Sequence, residues 1–139
     1  MFKKIMTPVD LTHADALGQA LAVTADLARI HGAEVCYVGV AATAPSAIAH
    51  TPEEYAEKLA AFAAAQAAQH GHSASAHAIM SHDPSVDLNR TLEATAREMG
   101  ADLIVMATHV PNVTDYIWSG HGAHVAAHSD ASVFLVRGG

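Results

Sequence analysis

Apolar positions along this chain alternate between the two periods of a strand and a helix. Lys4-Ile5-Met6-Thr7-Pro8-Val9-Asp10 is a short apolar run closing on a polar residue, the pattern of a strand covered on both faces. Thr12 stands where a helix N-cap is expected, with Asp15 in the first turn, where a carboxylate favours the free amides. Leu17, Leu21, Thr24 and Ala28, with Leu27 and Ile30 beside them, predict one helical face ended by His31-Gly32. Glu34 to Val40 reads as a second strand, and Ala41 to His50 as a loop. Thr51-Pro52-Glu53-Glu54 predicts a helix start: an N-cap threonine, proline at the first position and a glutamate completing a capping box. Tyr55, Leu59, Phe62 and Ala65 are its expected inner face, and His70-Gly71 its end.

Ser73 to Ile79, polar and alanine-rich, predicts an edge strand. Asp83-Pro84 opens a helix with Leu88, Leu92, Thr95 and Met99 inward and Gly100 as terminator. Asp102 to Ala107 is a buried strand, Thr108 to Ser119 an irregular segment, Gly120 to His128 a short helix and Val133 to Val136 the last strand. Strands alternating with helices require right-handed crossovers and a mostly parallel sheet covered on both sides. The expected fold is an α/β domain spanning 1–139, with no internal boundary and no repeat.

Composition narrows the functions available. Apolar residues make up 51% of the chain and charged ones 15%, enough to build a core rather than a disordered segment. A net charge of −7 argues against a generic nucleic-acid binder, which needs a basic surface. Cys36, the single cysteine, sits in an apolar run and reads as a small buried hydrophobe. Met1-Phe2-Lys3-Lys4 runs directly into a strand, and the apolar stretch from Leu59 to Ala68 is too short to span a bilayer. A cytoplasmic protein without membrane insertion is expected.

With five strands in the order 3-2-1-4-5, winding reverses between the first and fourth, and a ligand crevice lies outside their carboxyl ends. Pro8-Val9-Asp10 and Thr108-His109-Val110 leave those ends, and Val40 borders them. Trp118-Ser119-Gly120-His121-Gly122-Ala123 leads into the short helix, whose first amides would attract a phosphate.

These segments carry a family resemblance. Lys4 to Asp10 resembles the opening strand of universal stress proteins, Gly100 to His109 their fourth strand, and Val133 to Arg137 their last. The resemblance implies a five-stranded open parallel sheet in that order, with helices on both faces, of the Rossmann-like, adenine nucleotide alpha hydrolase-like type. It implies a homodimer through Val133–Arg137. It also implies ATP or AMP as ligand, with magnesium where the nucleotide carries it, Asp10 and Val40 addressing the adenosine. ATP-binding members carry Gly-x-x-Gly, nine residues, then Gly-Ser or Gly-Thr. Here Ala107-Thr108-His109-Val110 is followed by nine residues and then Gly120-His121. Counting back from the last strand sets Ser119-Gly120 against the final pair instead. Val110 is β-branched and precedes Pro111, so it disfavours a positive φ and the loop is expected to be rebuilt.

Two readings follow. In one, the amides of Ser119, Gly120, His121 and Gly122 still hold phosphates, with His109 or His121 replacing the lost hydroxyl. In the other, the site has decayed and the domain works by dimerising. The first is carried forward: a nucleotide-binding regulator without efficient catalysis. No nucleophile elbow and no Walker loop with its lysine is present. Tyr116-Ile117-Trp118 either packs over the crevice or contacts a partner. Some relatives regulate membrane transporters, and Thr108-His109-Val110-Pro111 resembles that subgroup. His121, His124 and His128 have helical spacing and His109 could join them, but eleven histidines fit a solvated face and no metal is assigned. His70, His72, His77 and His82 read as surface residues.

Overall fold

The structure, a computed structural model, describes residues 1–42, 48–81, 88–108 and 121–137. Strand β1 (Lys4–Pro8) is followed by a 3-10 helix (Leu11–Leu17) kinked at His13, helix α1 (Gly18–His31) and strand β2 (Glu34–Ala42). Helix α2 (Pro52–His70), strand β3 (Ala74–Ser81), helix α3 (Leu88–Met99), strand β4 (Leu103–Thr108), helix α4 (Gly122–His128) and strand β5 (Ser132–Arg137) complete the order. All five strands form one sheet in the order β3-β2-β1-β4-β5, every pairing parallel, as expected.

Register fixes which helix covers which face, because alternate residues of a strand point to opposite sides. Thr7 of β1 meets Thr24 of α1 through their hydroxyls at 3.1 Å. Its register partner Tyr37 meets Phe62 of α2 edge-to-face, with centroids 5.4 Å apart. Helices α1 and α2 therefore share one face. Met6 points the other way, is paired with Ile104, and Ile104 shares its face with Met106 and hence with Leu135. Leu135 packs on Gly122 of α4, so α4 covers the opposite face, with α3 beside it. The core between these layers includes Ile5, Val35, Val38, Leu59, Leu92, Ile104 and Val105, all essentially inaccessible. Burying each such side chain contributes about 1.5–3 kcal/mol.

Four local expectations change. Thr12 does not cap α1: Asp10 does the capping, its Oδ1 accepting from the Thr12 amide at 3.1 Å, and the turn it starts is 3-10, so α1 begins only at Gly18. Ile30 is 75% exposed, because Ala20, Leu21, Thr24, Ala25 and Ala28 fill the sheet-facing side and leave it outside that arc. In α2 the inner face is Tyr55, Leu59, Ala63 and Gln66, displacing Phe62 to the flank and Ala65 to the exterior. The cap on α2 holds at Thr51, whose hydroxyl accepts from the Glu54 amide at 3.1 Å. The Glu54 carboxylate reaches one residue further back, to the His50 amide at 3.2 Å, so the reciprocal bond skips Thr51 itself.

Strands β2 and β3 also run on to Ala42 and Ser81, because their ladder continues through Ala42↔Ser81. Cys36 is buried, and that burial raises its thiol pKa. Asp102 ties the starts of β1 and β4 together, its carboxylate accepting from the amides of Lys3 at 2.9 Å and Lys4 at 3.1 Å. No described helix is long and apolar enough to cross a membrane.

Candidate functional site

Winding reverses at β1, whose two neighbours are β2 and β4. The ladder with β2 runs from Lys4↔Glu34 to Pro8↔Val38 and continues with the Val9 amide on the Val38 carbonyl at 2.8 Å. The ladder with β4 holds only Ile5↔Leu103 and Met6↔Ile104. Beyond Met6 the strands no longer pair, and Pro8 has no N–H to offer a ladder. The carboxyl ends of β1 and β4 thus part where a crevice is expected in an open parallel sheet.

Asp10 stands at that end of β1 with its carboxylate nearly filled. Oδ1 accepts from Thr12, while Oδ2 lies 2.9 Å from His13 Nδ1, and the side chains of Asp10 and His13 are only 13% and 18% exposed. The Asp10 carbonyl accepts from the His13 amide at 3.0 Å, so the turn holds the acid from two directions. Tyr55, in the first turns of α2, belongs to the same corner. Burial pushes its phenol pKa upward, and the charge of Asp10 adds to that rise. Tyr55 approaches β2 at Gly39, where a Cβ would collide with its hydroxyl. Sequence reasoning missed His13 and Tyr55. The signal for Tyr55 was available: a glycine inside the apolar body of a strand marks close approach by another element.

The structure places the other candidate residues as follows. Pro8 and Val9 are buried, Val9 completely, and the Val9 amide is already engaged by the Val38 carbonyl. Val40 is not the residue that leaves β2: it lies inside the strand, paired with Ile79, because β2 extends to Ala42. Ala107 is buried within β4, paired with Val136. His121 precedes α4, with its Nδ1 2.6 Å from Asn89 Oδ1 of α3. Burial and then the charge of His124 hold the His121 imidazole below its ordinary range. Gly122 opens α4, and a Cβ there would lie 2.7 Å from Leu135 Cδ2, so its missing side chain makes room for β5. His109, Val110, Ser119 and Gly120, with Tyr116, Ile117, Trp118 and His82, lie outside the described residues.

Gly122 lies beside Leu135, two residues before the end of β5, which puts the first residue of α4 toward the carboxyl end of the sheet. Two recesses formed by described residues lie elsewhere. One sits at the amino-terminal end of the sheet, among Arg29, Gly32, Gly71 and His72. The other adjoins the last turn of α3, between Glu93, Arg97 and Asp130. Of the histidines expected at the surface, His77 is exposed, and His70 and His72 are half-buried, His72 with its Nε2 3.3 Å from the Tyr37 hydroxyl.

Comparison with known proteins agrees with this architecture. A family model described as the universal stress protein family matches residues 1–137. A universal stress family protein from Burkholderia pseudomallei superposes with a TM-score of 0.69 at 21% identity, covering 96% of this chain and 95% of its own. The universal stress protein from Archaeoglobus fulgidus in complex with dAMP gives 0.67 at 18% identity, covering 96% of each chain. A family member from Arabidopsis thaliana with AMP bound gives 0.66 at 14% identity, covering 97% of this chain and 91% of its own.

Proposed function

The chain belongs to the universal stress protein family, and from that premise we propose that it binds an adenine nucleotide, ATP or AMP, between the carboxyl ends of β1 and β4. It acts as one cytoplasmic domain that reports nucleotide occupancy rather than turning substrate over. The observation that carries the reading is the parting of β1 from β4 after Met6↔Ile104. Asp10 is held at that parting by Thr12 and His13. The bound dAMP and AMP of the Archaeoglobus and Arabidopsis relatives support the class of ligand. In this reading Asp10 and Val40 meet the adenosine, and the amides from Ser119 to Gly122 meet the phosphates. Magnesium accompanies ATP on the phosphates. His109 or His121 supplies the polar contact that a serine or threonine gives elsewhere in the family.

Titration of the chain with fluorescent ATP and AMP tests this. Saturable binding is expected, weakened at least about tenfold by Asp10→Asn combined with Gly120→Val, the cost of one lost charged hydrogen bond at roughly 1.5 kcal/mol or more. Absence of saturable binding at millimolar nucleotide overturns the proposal.

A second reading has its own observation. Strand β5 is an edge of the sheet, and it exposes Phe134 (44%) and Leu135 (38%). An apolar parallel edge of this kind is suited to pairing with a second copy. The homodimer through Val133–Arg137 then provides the working surface, with a transporter or other protein as its client. Light scattering of Phe134→Glu tests the dimer: a monomer is expected, and an unchanged dimer refutes this interface.

A further inference from the structure

We propose that the outer surface of α3 and α4 holds a site for a borderline divalent transition metal, zinc foremost, formed by Glu93, His124 and His128. His124 and His128 lie one helical turn apart and stack with ring centroids 4.1 Å apart. Glu93 reaches them from the neighbouring helix, and one donor atom from each of the three lies within 4.8 Å of the others. The Glu93 Oε1 to His124 Nδ1 separation is 3.2 Å. Two ligands on a tetrahedral zinc, with bonds of about 2.0–2.1 Å, stand roughly 3.3 Å apart. Glu93 and His124 are therefore already spaced as one edge of a coordination tetrahedron. The ion takes the place of the proton between them.

The third ligand is prepared in a different way. His128 Nδ1 donates to the His124 carbonyl at 2.9 Å, which fixes the tautomer and leaves Nε2 as a free lone pair. A carbonyl partner on the far nitrogen is the usual support of a metal-bound imidazole. The exposed His128 side chain has only the remaining separation, 4.8 Å or less, to close to bonding distance. Two imidazoles and a carboxylate suit zinc, nickel or cobalt rather than calcium or magnesium, which take oxygen ligands. His121, one turn earlier, is not among the three residues whose donor atoms converge. Three protein ligands leave a coordination position for water or for a group from another molecule.

The full chain, free of any histidine tag and stripped with chelator, is titrated with zinc by calorimetry, and with cobalt followed by its visible absorption. One ion per chain is expected. Glu93→Gln, His124→Ala and His128→Ala each weaken binding at least about tenfold, the lower limit even for outer partners of a metal site. His77→Ala, which removes an exposed histidine from β3, leaves it unchanged. A hundredfold excess of zinc over Kd raises Tm by roughly 9 °C, and each of the three variants loses that rise. Zinc-free melts of the variants that match the parent show that the fold is intact. Binding of several weak equivalents, or binding that survives all three substitutions, overturns the site.

Discussion

Gly39→Ala tests whether the corner that holds Asp10 is as tightly built as the structure shows. A Cβ at residue 39 would collide with the Tyr55 hydroxyl and stand 3.2 Å from Tyr55 Cζ and 3.3 Å from Leu59 Cδ2. Comfortable carbon contacts are about 3.5–4.0 Å. Tyr55 and Leu59 are buried, so neither can retreat into solvent. Overpacking of this kind costs about 1–3 kcal/mol, offset by about 0.4–1 kcal/mol because alanine has less freedom to lose in the unfolded chain. The upper part of the range applies, since three atoms are too close, giving a net loss of about 2 kcal/mol.

Unfolding entropy near 2.1 cal/mol/K per residue gives about 0.29 kcal/mol/K for 139 residues, so Tm should fall by about 7 °C. Thermal melts followed by circular dichroism measure this. The same substitution in a Tyr55→Leu background supplies the control, because leucine has no atoms where the phenol meets the new methyl. Coupling of at least about 1 kcal/mol is expected between the two sites. A Tm change below about 2 °C for Gly39→Ala, or an equal fall in both backgrounds, would refute the contact as the cause.

Asp102→Ala removes the acceptor shared by the Lys3 and Lys4 amides and should cost about 1.5–3 kcal/mol in urea denaturation; a midpoint shift equal to that of Asp102→Asn would show the charge to be irrelevant. His121 is held below the ordinary imidazole value of 6.5, so the unfolded chain takes up the proton first. Its share of stability is complete above that pH and drains away as pH falls through the folded value. Denaturation of His121→Phe in chelator should therefore give a flatter stability profile below pH 6.5 than the parent, and a parallel profile would contradict the assignment. Cys36, buried and with its thiolate disfavoured by that burial, should react with a thiol reagent only as fast as the chain opens, so that denaturant and not pH controls the rate.

Much of the architecture was legible because local signals and the crossover rule agree. The continuous apolar runs at Ile5 to Val9 and Leu103 to Ala107 could only be strands covered on both faces, and both are. Thr51-Pro52 set the start of α2 without tertiary help, because a cap and a proline act through the backbone of one turn. Ser73 to Ile79 was readable as an edge from its polarity, and β3 has β2 as its sole neighbour in the sheet. The errors lie where a choice depends on a second element. Thr12 and Asp10 are both competent caps, and what separates them is His13, whose ring lies beside the Asp10 carboxylate and helps to hold it in the turn. Ile30 and Phe62 satisfy a helical period, yet small residues bring α1 close to the sheet along another arc, and Ala63 does the same for α2.

The two glycines at the crevice end show why the site was harder to read than the sheet. A glycine in sequence announces that something comes close, not what. Gly39 was passed over inside an apolar strand, yet the body beside it is Tyr55, which brings a phenol to the corner of Asp10. Gly122 was read as one of the amides that hold a phosphate, while the space on its Cα is filled by Leu135. An anion at the start of α4 must then rely on amide direction alone, because the close approach that glycine permits is already used in packing the helix on β5. In the proposed phosphate cradle that demand falls on Ser119 and Gly120, so Gly120→Val, rather than Gly122→Ala, is the substitution whose loss of nucleotide affinity would support the cradle.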